Sequence, residues 1–241
     1  MLAVILAAGT SSRLYPLTAD IPKALLEVAG RTILDRMLDA LADARIARAV
    51  IVTGYRADRI AAHLAATRPR IPVETVMNAA FAETNNAASL AAARAATRGD
   101  AFVLCDGDVI FSDNPFPSLV AAREDSAIVV DRAAVLDDEA MKVAVDREQR
   151  VTRLSKQLDA RTSAGESVGI QKVGGAALAA LWDVLDDVLK TRAATAYYED
   201  AFQVLIDRGV PFGVTAIKGG TWREVDDAAD LAAARALLTQ G

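Results

Sequence analysis

The chain has 241 residues, 53% of them apolar and 24% charged, with a formal charge of −5 at pH 7. That length and apolar share suit one domain with a sizeable core and exclude a disordered chain. Acids and bases are mixed along the sequence, so the basic face that nucleic acid requires is missing.

The first apolar stretch, "MLAVILAAG", is too short to span a bilayer and lacks a basic leader region. The alanine-rich segments that follow are broken throughout by Arg and Asp. The sequence therefore reads as soluble, intracellular and cytoplasmic, with no membrane partner. Cys105 is the only cysteine, which excludes an internal disulfide and any C-x-x-C pair. His63 is the only histidine. That excludes a His-rich zinc site, and its place in "AAHLAA" reads as an ordinary helix-surface position.

In chain order, "LAVIL" is a short unbroken apolar run of the kind that parallel strands show when both faces are buried. A long loop follows, then "TILDRMLDALADAR". Here Thr32 can cap a helix whose Ile33, Leu34, Met37, Leu38 and Leu41 share one face. "ARAVIVTG" reads as a second strand and "YRADRIAAHLAATR" as a second helix. "IPVETVMN" reads as a third strand, "NNAASLAAARAAT" as a helix, and "DAFVLCDGDVIF" as a fourth strand running into acids. Alternation of this kind predicts an α/β fold with a doubly wound, mainly parallel, Rossmann-like sheet flanked by helices. Ligands in such sheets bind at the carboxyl ends of the strands, where both the opening loop and the "DGD" fall.

After about residue 125 the rhythm changes. "SAIVVD", "KVAVDR", "RVTRLS" and "VGIQKV" are strand-like pieces with little helix between them, which predicts a small β-rich extension over the mouth of the site. Helices "ALAALWDVLDDVLK" and "AYYEDAFQVLIDRG", a strand "VPFGVTAI", the segment "GGTWREVDD" and a final helix "AADLAAARALL" complete the chain. No linker or repeat divides it, so residues 1–241 read as a single domain.

Two motif matches fail. "GESVG" fits the G-x-S-x-G nucleophile pattern, but no histidine follows Ser167 to serve as its base. The opening loop has neither the G-x-x-x-x-G-K-[ST] of a P-loop nor the G-x-G-x-x-G of a dinucleotide fold.

What the opening loop does have is an anion's complement. In "LAAGTSSRLYPLTADIPKALLEVAG", Gly9 frees the backbone to turn. Small Ala7, Ala8, Thr10, Ser11 and Ser12 let a ligand approach main-chain N–H groups, which bind phosphate well. Arg13 offers a planar fork to phosphate oxygens and Lys23 a compact charge. Pro16 and Pro22 restrict the chain between these two cations and lower the entropy lost in holding them.

The whole pattern G-x-x-x-R-x-x-P-x-T-x-x-x-P-K resembles the signature of the nucleotidyltransferases that activate sugar phosphates and related phosphate monoesters. Ser11 stands where the family carries its second glycine. "FAETNNAASLAAA" is similar to the Y-N-N region of phosphocholine-type cytidylyltransferases, "VLCDGDVIF" to the family's V-I-D-A-D strand end, and "WREVDDAADL" to its Y-E-[IM]-D-x-x-x-D-[YL]. The phosphocholine-type subgroup resembles this chain most.

The resemblance implies a nucleotide-binding half over residues 1–125 and an acceptor-binding half over 126–241. It also implies direct displacement. A phosphate oxygen of the acceptor attacks the α-phosphorus of CTP, or of another nucleoside triphosphate, and pyrophosphate leaves. Protein then supplies position and charge rather than a nucleophile. Magnesium, which prefers hard oxygen ligands, would be held by Asp108 and Asp226 with Glu224. Lys23, Arg13 and Asp108 would carry catalysis. Leu6 and Ala7 through Ser12, with Arg13, Lys23, Asn78, Asn85 and Asp106, would bind the nucleotide, and Asn86 can instead cap the following helix.

Lys156, Glu166, Tyr198 and Asp200 fall to the acceptor side. The expected acceptor is a small phosphate monoester, phosphocholine-like, an amino-alcohol phosphate or a polyol phosphate. Where choline enzymes tend to carry a tryptophan, this chain has Ala140 and Met141, so phosphocholine is not expected to be clearly preferred. Two alternatives stay open: a sugar-1-phosphate uridylyl- or thymidylyltransferase, and a non-catalytic module that senses a nucleotide. A homodimer is also left open.

Overall fold

In the computed structural model, residues 1–239 are described. The first strand β1 (Leu2–Ala7) leads into the long loop, which holds short 3-10 turns at Ser12–Leu14 and Lys23–Leu25. A two-residue hairpin, β2 (Glu27–Val28) and β3 (Arg31–Thr32), precedes α1 (Ile33–Asp43). The Thr32 side chain accepts from Asp35 N–H at 3.0 Å, the cap expected from the sequence. Then come β4 (Ala49–Thr53), α2 (Ala57–Thr67) and β5 (Val73–Met77).

The stretch expected as one helix after Asn85 divides into α3 (Asn86–Ala92) and α4 (Arg94–Thr97). The stretch expected as a single fourth strand is two: β6 (Phe102–Asp106) and β7 (Val109–Phe111), joined by a tight turn at Gly107. A Cβ on Gly107 would stand 2.5 Å from the Leu6 carbonyl oxygen, so only glycine lets the turn lie against β1. After α5 (Phe116–Val120) come β8 (Ala127–Asp131), β9 (Lys142–Val145), β10 (Val151–Ser155) and the long β11 (Gly165–Val173). Ser167 lies inside β11, not on a strand-to-helix elbow. The chain ends with α6 (Gly175–Arg192), α7 (Tyr198–Asp207), β12 (Gly213–Ile217), β13 (Trp222–Glu224) and α8 (Ala228–Thr239).

The central sheet runs β10-β9-β11-β6-β1-β4-β5, with β8 beside β11 and β12 beside β8. Strands β6, β1, β4 and β5 are parallel, as are β8 and β12. The β-rich extension expected from the second half is the antiparallel end of this same sheet, hinged on β11.

Both faces are covered. Leu2 and Val4, with Val50, Val52, Phe102 and Leu104, pack toward α3, α6 and α7. Their alternate neighbours Ala3, Ile5, Ala49, Ile51, Val103 and Cys105 pack toward α1 and α5. Strict alternation between two cores explains why each strand reads as an unbroken apolar run. A third, smaller core of Leu14, Leu26, Val28, Ile33, Val225 and Leu231 fastens the opening loop to α8. His63 departs from a plain surface position, since its Nε2 lies 2.8 Å from Asp35 Oδ1 and links α2 to α1. Among the described residues no helix is long and apolar enough to cross a membrane.

Candidate active site

The carboxyl ends of β1 and β6 open into two adjoining clefts of about 340 and 370 Å³. The opening loop forms one wall. Ser11 sits there at φ 51° and ψ 46°, in the left-handed region that favours glycine. Serine keeps the turn at a conformational cost, and its carbonyl accepts from Leu14 N–H at 3.1 Å and Thr18 Oγ1–H at 3.0 Å. Tyr55 ties down the loop's far side, donating its hydroxyl to Ala19 O at 2.6 Å. A Cβ on Gly9 would meet nothing within 4 Å, which leaves open approach to the main chain there.

Charge is concentrated where the loop meets two acids from distant segments. Lys23 Nζ lies 2.6 Å from Asp108 Oδ2 and 2.7 Å from Asp226 Oδ1. Arg13 reaches the other oxygen of Asp226 at 2.8 Å. Burial alone would lower the Lys23 pKa, but Asp108 and Asp226 outweigh it and raise it. Burial likewise works to raise the Asp226 pKa, and Lys23 with Arg13 brings it below the usual carboxylate range.

Local structure explains how Asp226 arrives there. Strand β13 pairs antiparallel with β7, and Val225 N–H donates to Asp108 O at 3.1 Å. The buried Trp222 indole N–H donates to Asp131 Oδ2 at 2.9 Å and anchors β13 to the sheet. In "EVDDAAD", Asp227 Oδ1 accepts from Asp230 N–H at 3.0 Å and starts α8, and Asp230 Oδ2 accepts from Asp226 N–H at 3.0 Å.

Ligand oxygens of Asp108, Glu224 and Asp226 lie within 4.8 Å of one another. Partial desolvation and the neighbouring charges of Asp108 and Asp226 push Glu224 up to about 8. Asp108 Oδ1 is buried and has no hydrogen-bond partner. An all-oxygen trio with an orphaned buried oxygen fits a hard divalent cation.

The structure brings most of the predicted residues to this place. Leu6, Ala7, Gly9, Thr10, Ser11 and Ser12 line the first cleft with Arg13, Lys23, Asn85, Asp108 and Asp226. Ala8, Asp106, Lys156 and Glu224 join around the second. Lys156 Nζ lies 3.0 Å from Glu139 Oε2. Glu166 lines a smaller cavity beyond them, and burial with the charges of Asp137 and Asp131 pushes its pKa up to about 7.

Three predicted residues sit elsewhere. Asn78 is buried and spent on its own loop: its amide donates to Ser89 Oγ at 3.1 Å and Thr84 Oγ1 at 3.3 Å, and its Oδ1 accepts from Ala80 N–H. Tyr198 is fully buried in the core, and its hydroxyl donates to Asp106 Oδ2 at 2.9 Å beneath the cleft. Asp200 accepts from Tyr197 N–H at 2.9 Å at the start of α7 and pairs with Arg192. For the two residues of α7 the reason is helical phase: the helix starts at Tyr198, which turns that ring into the core and leaves Tyr197 and Glu199 lining the ligand side. Nor does Asn86 cap α3. Asn85 Oδ1 accepts from Asn86 N–H at 2.8 Å, and Asn86 Oδ1 accepts from Tyr198 N–H at 2.9 Å, joining α3 to α7.

Sequence reasoning also passed over Glu139 and Gly169. Glu139 lies in an irregular segment whose direction no periodicity reveals. Gly169 has φ 73° within a register shift of β11, and a Cβ there would stand 2.5 Å from Asp106 Oδ2. The isolated glycine in a strand pattern was its available signal.

A cation-lined loop facing paired acids at the carboxyl edge of a Rossmann-like sheet defines the class of the nucleotidyltransferases. The chain belongs to the family of MobA-like NTP transferase domains, whose model matches residues 3–202. Glu224 and Asp226 lie beyond that match.

The chain is 51% identical over 65 residues to N-acetylmuramate alpha-1-phosphate uridylyltransferase of Caulobacter vibrioides, covering 27% of each. It is 30% identical over 238 residues to CMP-5'-(3-aminopropyl)phosphonate synthase of Streptomyces rubellomurinus, covering 95% of this chain and 37% of that one. It is 30% identical over 151 residues to 2-aminoethylphosphonate cytidylyltransferase of Lancefieldella rimae, covering 60% of each. The chain thus spans between 27% and 60% of the length of these curated relatives. Among solved structures, CTP:phosphocholine cytidylyltransferase from Streptococcus pneumoniae superposes with a TM-score of 0.77 at 19% identity, covering 98% of both chains. Inositol-1-phosphate CTP transferase from T. maritima also gives 0.77, at 23% identity, covering 99% of this chain and 94% of that one. At these identities the superpositions establish the shared fold.

Proposed function

We propose that the protein transfers CMP from CTP to a small phosphate or phosphonate and releases pyrophosphate. The observation that carries this reading is the meeting of Lys23 with Asp108 and Asp226 beside the Gly9 loop. One acceptor oxygen forms a bond to the α-phosphorus as the bond to the β-phosphate bridge breaks, and the electron pair leaves with pyrophosphate. Negative charge grows on the α-phosphoryl oxygens and on the leaving group. Lys23 and Arg13 offset it, and the open backbone at Gly9 offers N–H groups to the triphosphate. Lys156, across the second cleft, holds the acceptor's phosphate or phosphonate for in-line attack.

Asp108, Glu224 and Asp226 would hold magnesium, which when bound neutralises phosphate charge as a Lewis acid. Lys23 keeps both aspartates turned inward, ready to serve as ligands.

Two considerations favour cytosine. Two of the curated relatives are named for CMP or cytidylyl chemistry. Asn85 lines both clefts and uses its Oδ1 on Asn86 N–H, which leaves its amide N–H groups for a ligand. An N–H donor suits the N3 acceptor of cytosine and opposes the N3–H of uracil.

The test is pyrophosphate release measured with each triphosphate against a panel of phosphate and phosphonate acceptors. At least about tenfold preference for CTP, roughly 1.4 kcal/mol, is expected. Turnover with UTP or dTTP and a sugar 1-phosphate, but not with CTP, would overturn the base assignment. That second reading is favoured by the Caulobacter match, confined to 27% of the chain. Nucleotide binding without turnover on any acceptor would leave the sensing module.

A further inference from the structure

Beyond Lys156 the second cleft narrows into a cavity of about 110 Å³ ringed by five carboxylates, Asp106, Glu139, Glu166, Glu199 and Glu224, against one cation, Lys156. Three of the five are already engaged. Asp106 accepts from the Tyr198 hydroxyl, Glu139 pairs with Lys156, and Glu224 belongs to the acidic trio. Glu166 and Glu199 remain.

Glu199 is 8% exposed, and its Oε2 is buried without a hydrogen-bond partner. A buried carboxylate oxygen left unmatched is costly and is normally satisfied in a protein's working state. Burial pushes Glu199 up to about 7 against hydrogen bonding from its own backbone, Tyr198 and Asn86. Burial with the charges of Asp137 and Asp131 pushes Glu166 up to about 7 against Lys142 and Arg223.

We propose that the acceptor carries a primary ammonium group, received in this cavity by Glu199 and Glu166, while its phosphate or phosphonate stays at Lys156. The inference rests on the nucleotidyl-transfer reading of the adjoining cleft and specifies its substrate class.

Three features select that chemistry. A primary ammonium brings N–H donors that an unmatched carboxylate oxygen needs, and a quaternary ammonium has none. A quaternary group calls instead for several ring faces. Among the described residues Tyr197 is the only aromatic side chain lining the cavity, and Lys156 Nζ already lies 5.7 Å from its ring centre. A sugar would bring neutral hydroxyls to a ring of acids, and about 110 Å³ suits a short arm better than a pyranose. Glu199 is therefore a specificity-determining residue.

The experiment compares 2-aminoethylphosphonate, its isostere 2-hydroxyethylphosphonate, and phosphocholine on the full chain with magnesium. Calorimetric binding and kcat/KM are both read, for the parent protein and for Glu199→Gln and Glu166→Gln. The amine should bind at least about 30-fold more tightly than the alcohol, roughly 2 kcal/mol. Each glutamine variant should narrow that ratio at least about tenfold, mainly through the acceptor's KM. If Glu199→Gln fails to fold, as judged by circular dichroism, Glu166→Gln at the less buried of the two carboxylates carries the same test.

Equal binding of amine and alcohol would overturn the inference. So would full amine preference in every folded variant, or phosphocholine binding more than about tenfold tighter than the primary amine. Amine-selective binding with no pyrophosphate release would uphold the ammonium subsite and overturn the transfer reading. Transfer with no amine selectivity would do the reverse.

Discussion

Lys23 Nζ contacts Asp226 Oδ1 at 2.7 Å across 203 positions of sequence, and the same ammonium contacts Asp108 Oδ2 at 2.6 Å. One side chain from the opening loop thereby holds together two acids delivered by β7 and β13. Lys23→Ala should cut kcat by at least about a hundredfold, the scale of losing one charge-stabilising group at a reacting centre. Steady-state kinetics check this. A change confined to the acceptor's KM would put Lys23 on the other substrate.

Ser11 holds a left-handed conformation at φ 51° with no side-chain cap hydrogen bond to offset it. That conformation costs a residue with a Cβ about 1–2 kcal/mol, and glycine much less. Ser11→Gly should therefore raise the urea midpoint by about 1 kcal/mol of stability, with an unchanged m-value. A loss of stability would mean that the Ser11 hydroxyl holds the loop through a contact worth more than the strain.

Gly169 and Gly209 separate two effects of an added methyl group. Both have positive φ, 73° and 83°, but only at Gly169 would the Cβ meet a neighbour, Asp106 Oδ2 at 2.5 Å. Gly209→Ala should cost about 1 kcal/mol from conformation alone. Gly169→Ala should cost more, about 2–3 kcal/mol, and reduce activity because Asp106 lies in the cleft wall. Chemical denaturation and kcat of the two variants, measured side by side, check this. Equal costs would show that Asp106 moves aside freely.

The half-buried Glu166 gives the fold a pH signature. Its pKa is near 7 in the folded chain against an ordinary 4.5, so the folded state binds the extra proton between those values. The associated stability is full below pH 4.5 and lost as pH rises through 7. In EDTA, Glu166→Gln should match the parent at pH 5 and exceed it at pH 8.5. The expected gain is on the order of 1 kcal/mol, reduced from the full shift by solvent screening. Melting curves at the two pH values check this, and a gap that did not widen with pH would contradict it.

The sheet was legible because its strands alternate between two cores, so Leu2–Ala7, Ala49–Thr53 and Phe102–Asp106 each read as apolar runs. The loop was legible because Gly9, Arg13 and Lys23 are spaced along a segment restricted by two prolines. Helix phase at α7 was not. "AYYEDAF" contains two tyrosines and two acids in succession, and only the position of the helix start decides which of each pair is buried. Asn78 was equally opaque, since its partners Ser89 and Thr84 are neighbours only after the loop has folded. Paired roles in "EVDDAAD" were hidden too: Asp226 faces Lys23 while Asp227 and Asp230 start α8. In sequence the acids look alike.

The most direct test of the central claim follows the α-phosphorus itself. CTP labelled with radioactive phosphorus at the α position is incubated with magnesium and 2-aminoethylphosphonate, and products are resolved by thin-layer chromatography. Transfer predicts that the label enters a new phosphatase-resistant species in step with pyrophosphate release. It also predicts that Asp108→Ala and Asp226→Ala, though folded, abolish that species. Label confined to CTP or appearing only in free CMP, or either variant retaining near-parent transfer, would contradict the account.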